Sequence, residues 1–403
     1  MADVLIVGGG IAGSTLAILL GRAGLSVELL EMGHFPREKA CGEGLMPAGV
    51  GVLKRLGLAE AAGGAPFYGV RYHFGRHTAE SRFPHADGVP SCGRGQRRKH
   101  LDRVLFEAAA KTAGVKVYTG ARVDAALCEN GRVTGVLVEG QALRARLMVA
   151  ADGVNSRIRH QLGLDAKPRR KRFGIRVHYR LAKGQEQLSW VDIVLGSGHE
   201  LYVTPLPNRE VLVAVLTDVH HVKQGRGTVY EKFKRWIFAQ ALLASRLEGA
   251  EQISRPMCAS WRGMNARQGV APGVVLLGDA ADSTDPISGG GMMQALLTAE
   301  LLAGYVQKRR GASDEWIWKF ERERQSLLAD FRRLTRMLLW LAGHPSLAAP
   351  ILSAVRNSPR VLSHFAGVAG GSRGLFSAAK PPKRCGLALP EARIMDAGYI
   401  PDL

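Results

Sequence analysis

The sequence predicts an α/β fold in which a layer of buried strands and helices is interrupted by an antiparallel sheet, resumes, and gives way to a helical C-terminus. Three observations predict it. The chain opens on a strand–helix–strand pattern between Asp3 and Glu31. From Phe173 to Thr217, apolar and polar residues alternate between turns, as in antiparallel strands with one wet face. From Gly273 to Val306 the pattern returns to buried strand, glycine-rich loop and helix.

The elements follow in order. "DVLIV" (Asp3 to Val7) is a short apolar run of the buried-strand type, "STLAILLGRAG" is helical, and "SVELLE" is a second strand ending at Glu31. "GVGVLKRLGLAEAA" (Gly49 to Ala62) is expected as one helix, with Val52, Leu53 and Leu56 on one face. "RRKHLDRVLFEAAAKTAG" (Arg97 to Gly114) is a second amphipathic helix. "VKVYTG", "RVTGVLVEG" and "LMVAADG" are strands, with a turn at "ENG". "FGIRVHYRLA", "SWVDIVLG", "ELYVTPL" and "EVLVAVLTD" make the antiparallel sheet. Near the C-terminus Leu334, Met337, Leu338 and Leu341 recur at helical spacing, with Arg332, Arg333 and Arg336 elsewhere around the turn. The last thirty or so residues, with several Pro, Gly and Lys, are expected as a wrapping or disordered tail.

At 403 residues the chain is long enough for an interleaved two-domain unit. Its 46% hydrophobic and 22% charged residues suit a globular enzyme, and its apolar runs are broken well short of a membrane span. Asp3 stands where a signal peptide would be basic, so a cytoplasmic protein is expected. Five scattered cysteines form no zinc-type cluster, which points to a reduced compartment and no metal. The net charge of +20 favours anionic partners: an acidic cofactor, or an anionic membrane met by the basic C-terminal helix. Its basic residues are spread, with local knots such as "KPRRKR" (Lys167 to Arg172), and no nucleic-acid motif accompanies them, so no nucleic-acid partner is expected.

Gly8-Gly9-Gly10-Ile11-Ala12-Gly13 fits GxGxxG directly between strand and helix. Gly8 allows the tight turn, Gly10 lets a pyrophosphate approach the backbone, and Gly13 permits close helix–strand packing. The helix N-terminus at Ile11 and Ala12 offers amide donors to phosphates. Glu31, eighteen residues beyond Gly13, is placed to accept from ribose hydroxyls. This is a Rossmann-type dinucleotide site. A second glycine signature points to FAD rather than a nicotinamide. Asp279 follows a buried strand, and Pro286 leads into a helix through Gly290, Gly291 and Met292, so an acid near a ribityl chain is followed by a helix N-terminus aimed at a flavin ring.

"GGGIAG" with Glu31, "VAADGVNSRIRHQLGL" (Val149 to Leu164) and "GDAADSTDPISGGGMMQA" occur in the order found in one superfamily. The chain resembles the FAD-dependent class A monooxygenases of the para-hydroxybenzoate hydroxylase type, near the geranylgeranyl reductases and flavin halogenases. The resemblance implies a glutathione-reductase-like FAD domain from residues 1–70, 97–165 and 268–345. It implies a substrate-binding sheet domain from 71–96 and 166–267, and a helical C-terminal segment and tail from 346–403. It makes Asp152 of the Asp-Gly motif a cofactor residue, with a helix cap as the plainer alternative, and Gly153, Ser156 and Arg159 fit the same motif. Arg98 falls where the relatives' arginine reaches the FAD, and Val123 where backbone contacts the adenine. Met293 and Thr298 depart from the Asn and Asp common in hydroxylases.

"KACGEGLMPAG" (Lys39 to Gly49) would line the flavin. It resembles the PxxKxCGG segment of geranylgeranyl reductases and the GESLxP segment of halogenases. Lys39 and Glu43 are expected as a solvated pair or as a polar handle near the flavin, and Cys41 as a pocket residue or a small buried hydrophobe. His178 and Tyr202 are further pocket candidates, with His178 and Tyr179 on opposite faces of their strand. The expected function is an FAD-dependent monooxygenase, a hydroxylase or epoxidase of secondary metabolism using NAD(P)H as transient reductant and O2. Its substrate would be an aromatic, polyketide or prenyl-like hydrophobic small molecule. A separate flavin reductase is the alternative electron source, since no second GxGxxG is present. The alternative activity is reduction of isoprenoid double bonds. Halogenation is disfavoured, because "ELYVTPLPNREVLVAVL" lacks the WxWxIP tryptophans; it shares only Tyr202 and a proline with the YxWxFP of isoprenoid reductases.

Overall fold

A computed structural model describes residues 1–75, 77–167, 171–196, 198–224, 226–261, 265–308, 314–356 and 358–376. The opening pattern builds the centre of the first sheet. Ala2–Val7 lies between Val27–Glu31 and Gln141–Ala150, parallel to both, with Val115–Thr119 and Val274–Leu276 parallel on the outer sides. Both faces of these strands are covered, which is why their sequences are continuously apolar. Helix Ile11–Arg22 packs against helices Arg98–Ala110 and Gly291–Lys308. A hairpin of Val123–Glu129 and Arg132–Val138 extends Gln141–Ala150 beyond the layer.

The second sheet runs Glu251–Gln252, Arg172–Arg180, Glu210–Asp218, His199–Pro205, Val191–Leu195, Gly69–Phe74, His77–Arg82, with Met257–Trp261 also on Arg172–Arg180. It is antiparallel except between Gly69–Phe74 and Val191–Leu195. Its expected wet face is a correction: Val191–Leu195 is buried throughout and Glu210–Asp218 almost so. The outer face, with Ile175, Val177, Val211, Val213 and Val215, is covered by helices Val229–Phe238 and Ala241–Arg246. The inner face meets Met293 from helix Gly291–Lys308 and Leu328, Phe331 and Ala366 from the C-terminal helices. Gly93–Gly95 pairs with Gly44–Leu45 and Ala65–Phe67 in a separate three-stranded sheet.

The single helix expected from Gly49 to Ala62 is two, Pro47–Arg55 and Ala59–Ala62. Gly57 takes a left-handed φ of 71, its N–H donates to Lys54 O at 3.0 Å, and the Leu58 N–H donates to Leu53 O at 2.9 Å. This is the glycine-terminated double bond that closes a helix. The helices Glu315–Ala342, Pro345–Arg356 and Pro359–Gly370 form the C-terminal region. The expected tail beyond residue 376, Cys385 and most of the basic knot after Lys167 lie outside the described residues; Arg172, at the knot's end, is buried.

Candidate active site

The first glycine turn is held by backbone approaches that leave no room for side chains. A Cβ on Gly8, whose φ is 105, would lie 2.4 Å from Ala151 O, and one on Gly13 would lie 1.9 Å from Gly8 O. Gly10 caps the helix that begins at Ile11 and Ala12, and its outer side is open apart from Arg37 Nη2 at 4.0 Å. Glu31 is buried at the end of its strand. Its Oε2 accepts from Gly9 N–H and its Oε1 from Gly33 N–H, both at 2.8 Å, and Arg37 Nη2 lies 3.5 Å away. Sequence reasoning missed Arg37. Among the described residues its buried Nε has no partner, its guanidinium lies over the Phe35 ring at 5.1 Å, and, besides its pairing with Glu31, it stands beside the glycine turn where an anion can share it. The signal was a basic residue shortly after the acidic strand end. Val123 begins a strand two residues beyond Ala121, whose N–H donates to Glu31 O at 3.0 Å, so it lies at the Glu31 end of the site.

The Asp-Gly segment joins the two glycine turns. Asp152 Oδ2 accepts from Arg157 N–H at 3.1 Å, as a cap would, while Oδ1 is buried without a partner among the described residues. Burial raises the Asp152 carboxyl above its ordinary range, against hydrogen bonds from Ser156 and backbone that pull it down. Ser156 caps the short helix by accepting from Arg159 N–H at 3.0 Å. Arg159 is fully buried, pairs with Asp165 at 2.6 Å, and donates to Val154 O at 2.8 Å and Ala280 O at 2.9 Å. That last bond ties this segment to the second turn.

In the second turn Asp279 faces Lys39, Nζ to Oδ2 at 3.5 Å. Asp285 accepts from Ile287 N–H at 3.0 Å just before Pro286, and Gly289 takes a left-handed φ of 63. Helix Gly291–Lys308 follows, with space open around Gly291, and the first-turn amides of a helix have no intrahelical acceptor. Met292 is in that first turn and buried. The buried Gln294 Nε2, near Gly290, has no partner among the described residues either.

The loop between the turns differs from expectation. Lys39 and Glu43 are not a solvated pair, because Glu43 is fully buried and reaches other residues. Its Oε2 shares a 2.7 Å hydrogen bond with His178 Nε2, and its Oε1 accepts from Arg98 N–H at 3.1 Å. Arg176 joins the network, 3.0 Å from His178 Nδ1 and 2.5 Å from Glu38. Cys41 is half-buried beside the Arg98 guanidinium, whose other side is held by Asp102 through two 2.8 Å bonds. Burial would lower Arg98, but Asp102 and Cys41 outweigh it and raise it.

Register places Arg176, Ala214, Tyr202, Ile193 and Tyr72 in one row across the second sheet, so His178 and Tyr202 share its inner face. Tyr179 points to the other face, among Phe233 and Ile237. Tyr202 packs against the cluster of Met46, Ile193, Met293 and Phe331; its hydroxyl is buried without a partner among the described residues, and burial, then Glu200, push it well above its ordinary value. His178 is spent on Glu43, so it anchors the loop while Tyr202 faces the apolar side.

The open backbone at Gly10 and Gly291, the free amides of two helix starts and the unpartnered atoms of Arg37, Asp152 and Gln294 fit an anionic dinucleotide with a polar ring. Solved structures agree on the fold: a flavoprotein/dehydrogenase from Cytophaga hutchinsonii superposes with a TM-score of 0.80 at 22% identity, covering 91% of this chain and 92% of that one. Menaquinone reductase of Mycobacterium tuberculosis is 27% identical over 333 residues, 76% of this chain and 77% of its own. Digeranylgeranylglycerophospholipid reductase of Methanoculleus marisnigri is 29% identical over 331 residues, 77% and 78% of the two chains. The profile of the FAD binding domain family matches residues 1–328, a span that holds both glycine turns and the Asp-Gly segment. By that match the chain belongs to the FAD binding domain family and is an FAD-dependent oxidoreductase.

Proposed function

We propose that this oxidoreductase saturates a carbon–carbon double bond in the isoprenoid part of a lipid-like substrate, with NAD(P)H or a separate flavin reductase supplying electrons. The observation that carries the reading is the seating of the Lys39–Glu43 loop against an apolar wall. Lys39 faces Asp279, the Thr204 hydroxyl donates to Gly42 O at 2.8 Å, and Glu43 holds His178, so the loop is fixed between the second turn and the inner face of the sheet, while Cys41 packs on the core of the first sheet's layer beside Arg98. That face is lined by Met46, Tyr72, Ile193, Met293 and Phe331, adaptable apolar groups suited to a branched chain. Two relatives matching three quarters of the chain carry reductase names, for menaquinone and for a geranylgeranyl lipid.

FAD, when bound, supplies hydride transfer. Gly10, Gly13, Glu31 and Arg37 would hold its dinucleotide end; Asp279, Gly290, Gly291 and Met292 would hold its ring end. The sheet and the C-terminal helices exclude water. Tyr202 keeps its proton on Oη, because burial disfavours the phenolate, and is the proton source for the substrate carbon that does not receive the hydride. Among the described residues no helix is long and apolar enough to cross a membrane. The lipid is instead taken from a surface met by the C-terminal helices, where Met337, Trp340, Leu347 and Ile351 are exposed.

Oxygenation of an aromatic or polyketide substrate is the second reading. The unpartnered Tyr202 hydroxyl favours it, since a bare prenyl chain gives that group nothing to bind. The test uses FAD-loaded protein reduced with dithionite under nitrogen, mixed with menaquinone or a geranylgeranyl lipid and followed by mass spectrometry. Gain of two hydrogens supports reduction. No saturation without oxygen, together with oxygen incorporation into a phenol or polyketide when NADPH and air are supplied, would overturn it in favour of the second reading.

A further inference from the structure

A cavity of about 250 Å³ opens on the outer face of the second sheet, lined by Gly198, His199, His221, Gln224, Lys232, Arg235 and Trp236. His199 opens a strand of the sheet and opposes Thr217 in register. Lys232, Arg235 and Trp236 come from the helix Val229–Phe238 that covers this face. The lining contains an ammonium, a guanidinium and two imidazoles but no carboxylate. Lys232 is 6% exposed, and its Nζ donates to Val222 O at 2.6 Å, leaving two N–H groups; Arg235 Nη2 donates to Arg226 O at 2.8 Å. Among the described residues Lys232 has no acidic partner, while Arg235 is in no close ion pair but feels the Glu231 carboxylate one turn back. The carboxylates beside the cavity are engaged: Asp218 lies 3.8 Å from Arg172, and Glu231 accepts from Thr228 N–H at 2.7 Å in a capping box.

A buried lysine without a counter-ion is costly, and an anion in the cavity would remove that cost. Asp218, His220 and His221 place potential ligand atoms within 4.8 Å of one another, which raises a divalent cation as the rival occupant. Lys232 and Arg235, which line the cavity, decide against it, since their positive charges disfavour a cation and favour an anion. The cavity is also roomier than inorganic phosphate requires, and Trp236, stacked with His199 at 5.3 Å between ring centroids, gives it an aromatic wall.

We propose that this cavity is a second ligand site that binds a phosphate ester, separate from the FAD site and on the opposite face of the sheet. Lys232 and Arg235 grip the phosphate, and His199, His221 and Gln224 complete its hydrogen bonds. The inference does not depend on whether the flavin reduces or oxygenates its substrate.

The test is calorimetric titration of FAD-loaded protein with inorganic phosphate, AMP and glycerol phosphate, plus flotation with vesicles of phosphatidic acid. Saturable binding of at least one phosphate compound, weakened tenfold or more by Arg235→Gln and by Lys232→Met with the flavin spectrum unchanged, is the expected result. Preference for AMP or glycerol phosphate would identify a soluble ester, and flotation with phosphatidic acid that both variants lose, while phosphatidylglycerol flotation stays unchanged, would identify a lipid headgroup. Absence of phosphate binding at millimolar concentration, undiminished binding in both variants, or binding of zinc instead of phosphate would overturn the proposal. Arg235 is exposed, so its variant carries the test should Lys232→Met fail to fold.

Discussion

Glu43 is fully buried, sits at a left-handed φ of 57, and still meets His178, the Arg98 amide and the edge of Arg176. Removing one partner of such a group strands the others away from water. Glu43→Ala is therefore expected to cost about 3–5 kcal/mol of stability and to speed labelling of Cys41 by a thiol reagent. An unchanged urea midpoint with unchanged labelling would show that the network does not hold the loop. The loop's composition was legible in the sequence, but its pairing was not: Lys39 and Glu43 look like neighbours in a line of residues, whereas the true partner of Glu43 is 135 residues away. The buried Asp192 gives the acid response. Burial would raise it, but the His73 hydrogen bond at 2.7 Å and the Arg246 charge outweigh that and hold it below the ordinary range. A carboxylate lowered in the folded state contributes stability that is full above its unfolded pKa of about 3.9 and is lost as pH falls through the folded value. Urea midpoints of the parent protein should thus drop steeply below about pH 4, and Asp192→Asn should be less stable near neutrality but flatter across that range. Equal slopes for both proteins would remove Asp192 from the acid transition.

At the scale of elements, the glycine turns work only if the segments that carry them are fixed to one another, and Arg159 does this by bonding both Val154 O and Ala280 O while paired with Asp165. A lysine keeps the charge but lacks the planar fork that reaches three acceptors. Arg159→Lys should leave the far-ultraviolet circular dichroism near that of the parent and weaken FAD retention at least tenfold, read by fluorescence of flavin released on gel filtration. Full retention would mean that the two turns hold their spacing without it. The Asp-Gly motif exposed this arginine in the sequence because its spacing is local. Other features escaped for a physical reason. Alternation along the antiparallel strands suggests one wet face because it does not show what packs on the second face, and helices 229–238 and 241–246 close that face, with Phe233, Ile237 and Leu243 sealing Val211, Val213 and Val215. The helix broken at Gly57 was readable in principle, since glycine after an apolar turn followed by leucine is a helix stop.

Across the whole molecule, excess positive charge and exposed apolar groups meet on the C-terminal helices. Leu334, the first residue of the stripe read from the sequence, is buried, but Met337 is 39% and Trp340 48% exposed, followed by Leu347 at 40% and Ile351 at 36% on the next helix. Arg336 is exposed on the same helix. Periodicity identified the helix; it could not tell which end would run past the core, because that depends on where the second sheet stops. Tryptophan and cations side by side suit the interface of an anionic bilayer, where each basic residue near the surface contributes about 1 kcal/mol and the attraction decays over about 8 Å at physiological salt. A protein of net charge +20 that merely attracts anions would bind vesicles through charge alone, and would release fully at high salt. A surface that also inserts Trp340 and Met337 should retain part of its binding there. FAD-loaded protein is therefore expected to float with phosphatidylglycerol vesicles at low salt and to keep a measurable fraction bound at about 0.5 M, where the Debye length is near 4 Å. Trp340→Glu with Met337→Glu should abolish that salt-resistant fraction without altering FAD content, because both side chains lie outside the core. Loss of all binding in the parent at high salt would reduce the surface to simple electrostatics, and failure to float at any salt would mean that these helices do not meet lipid.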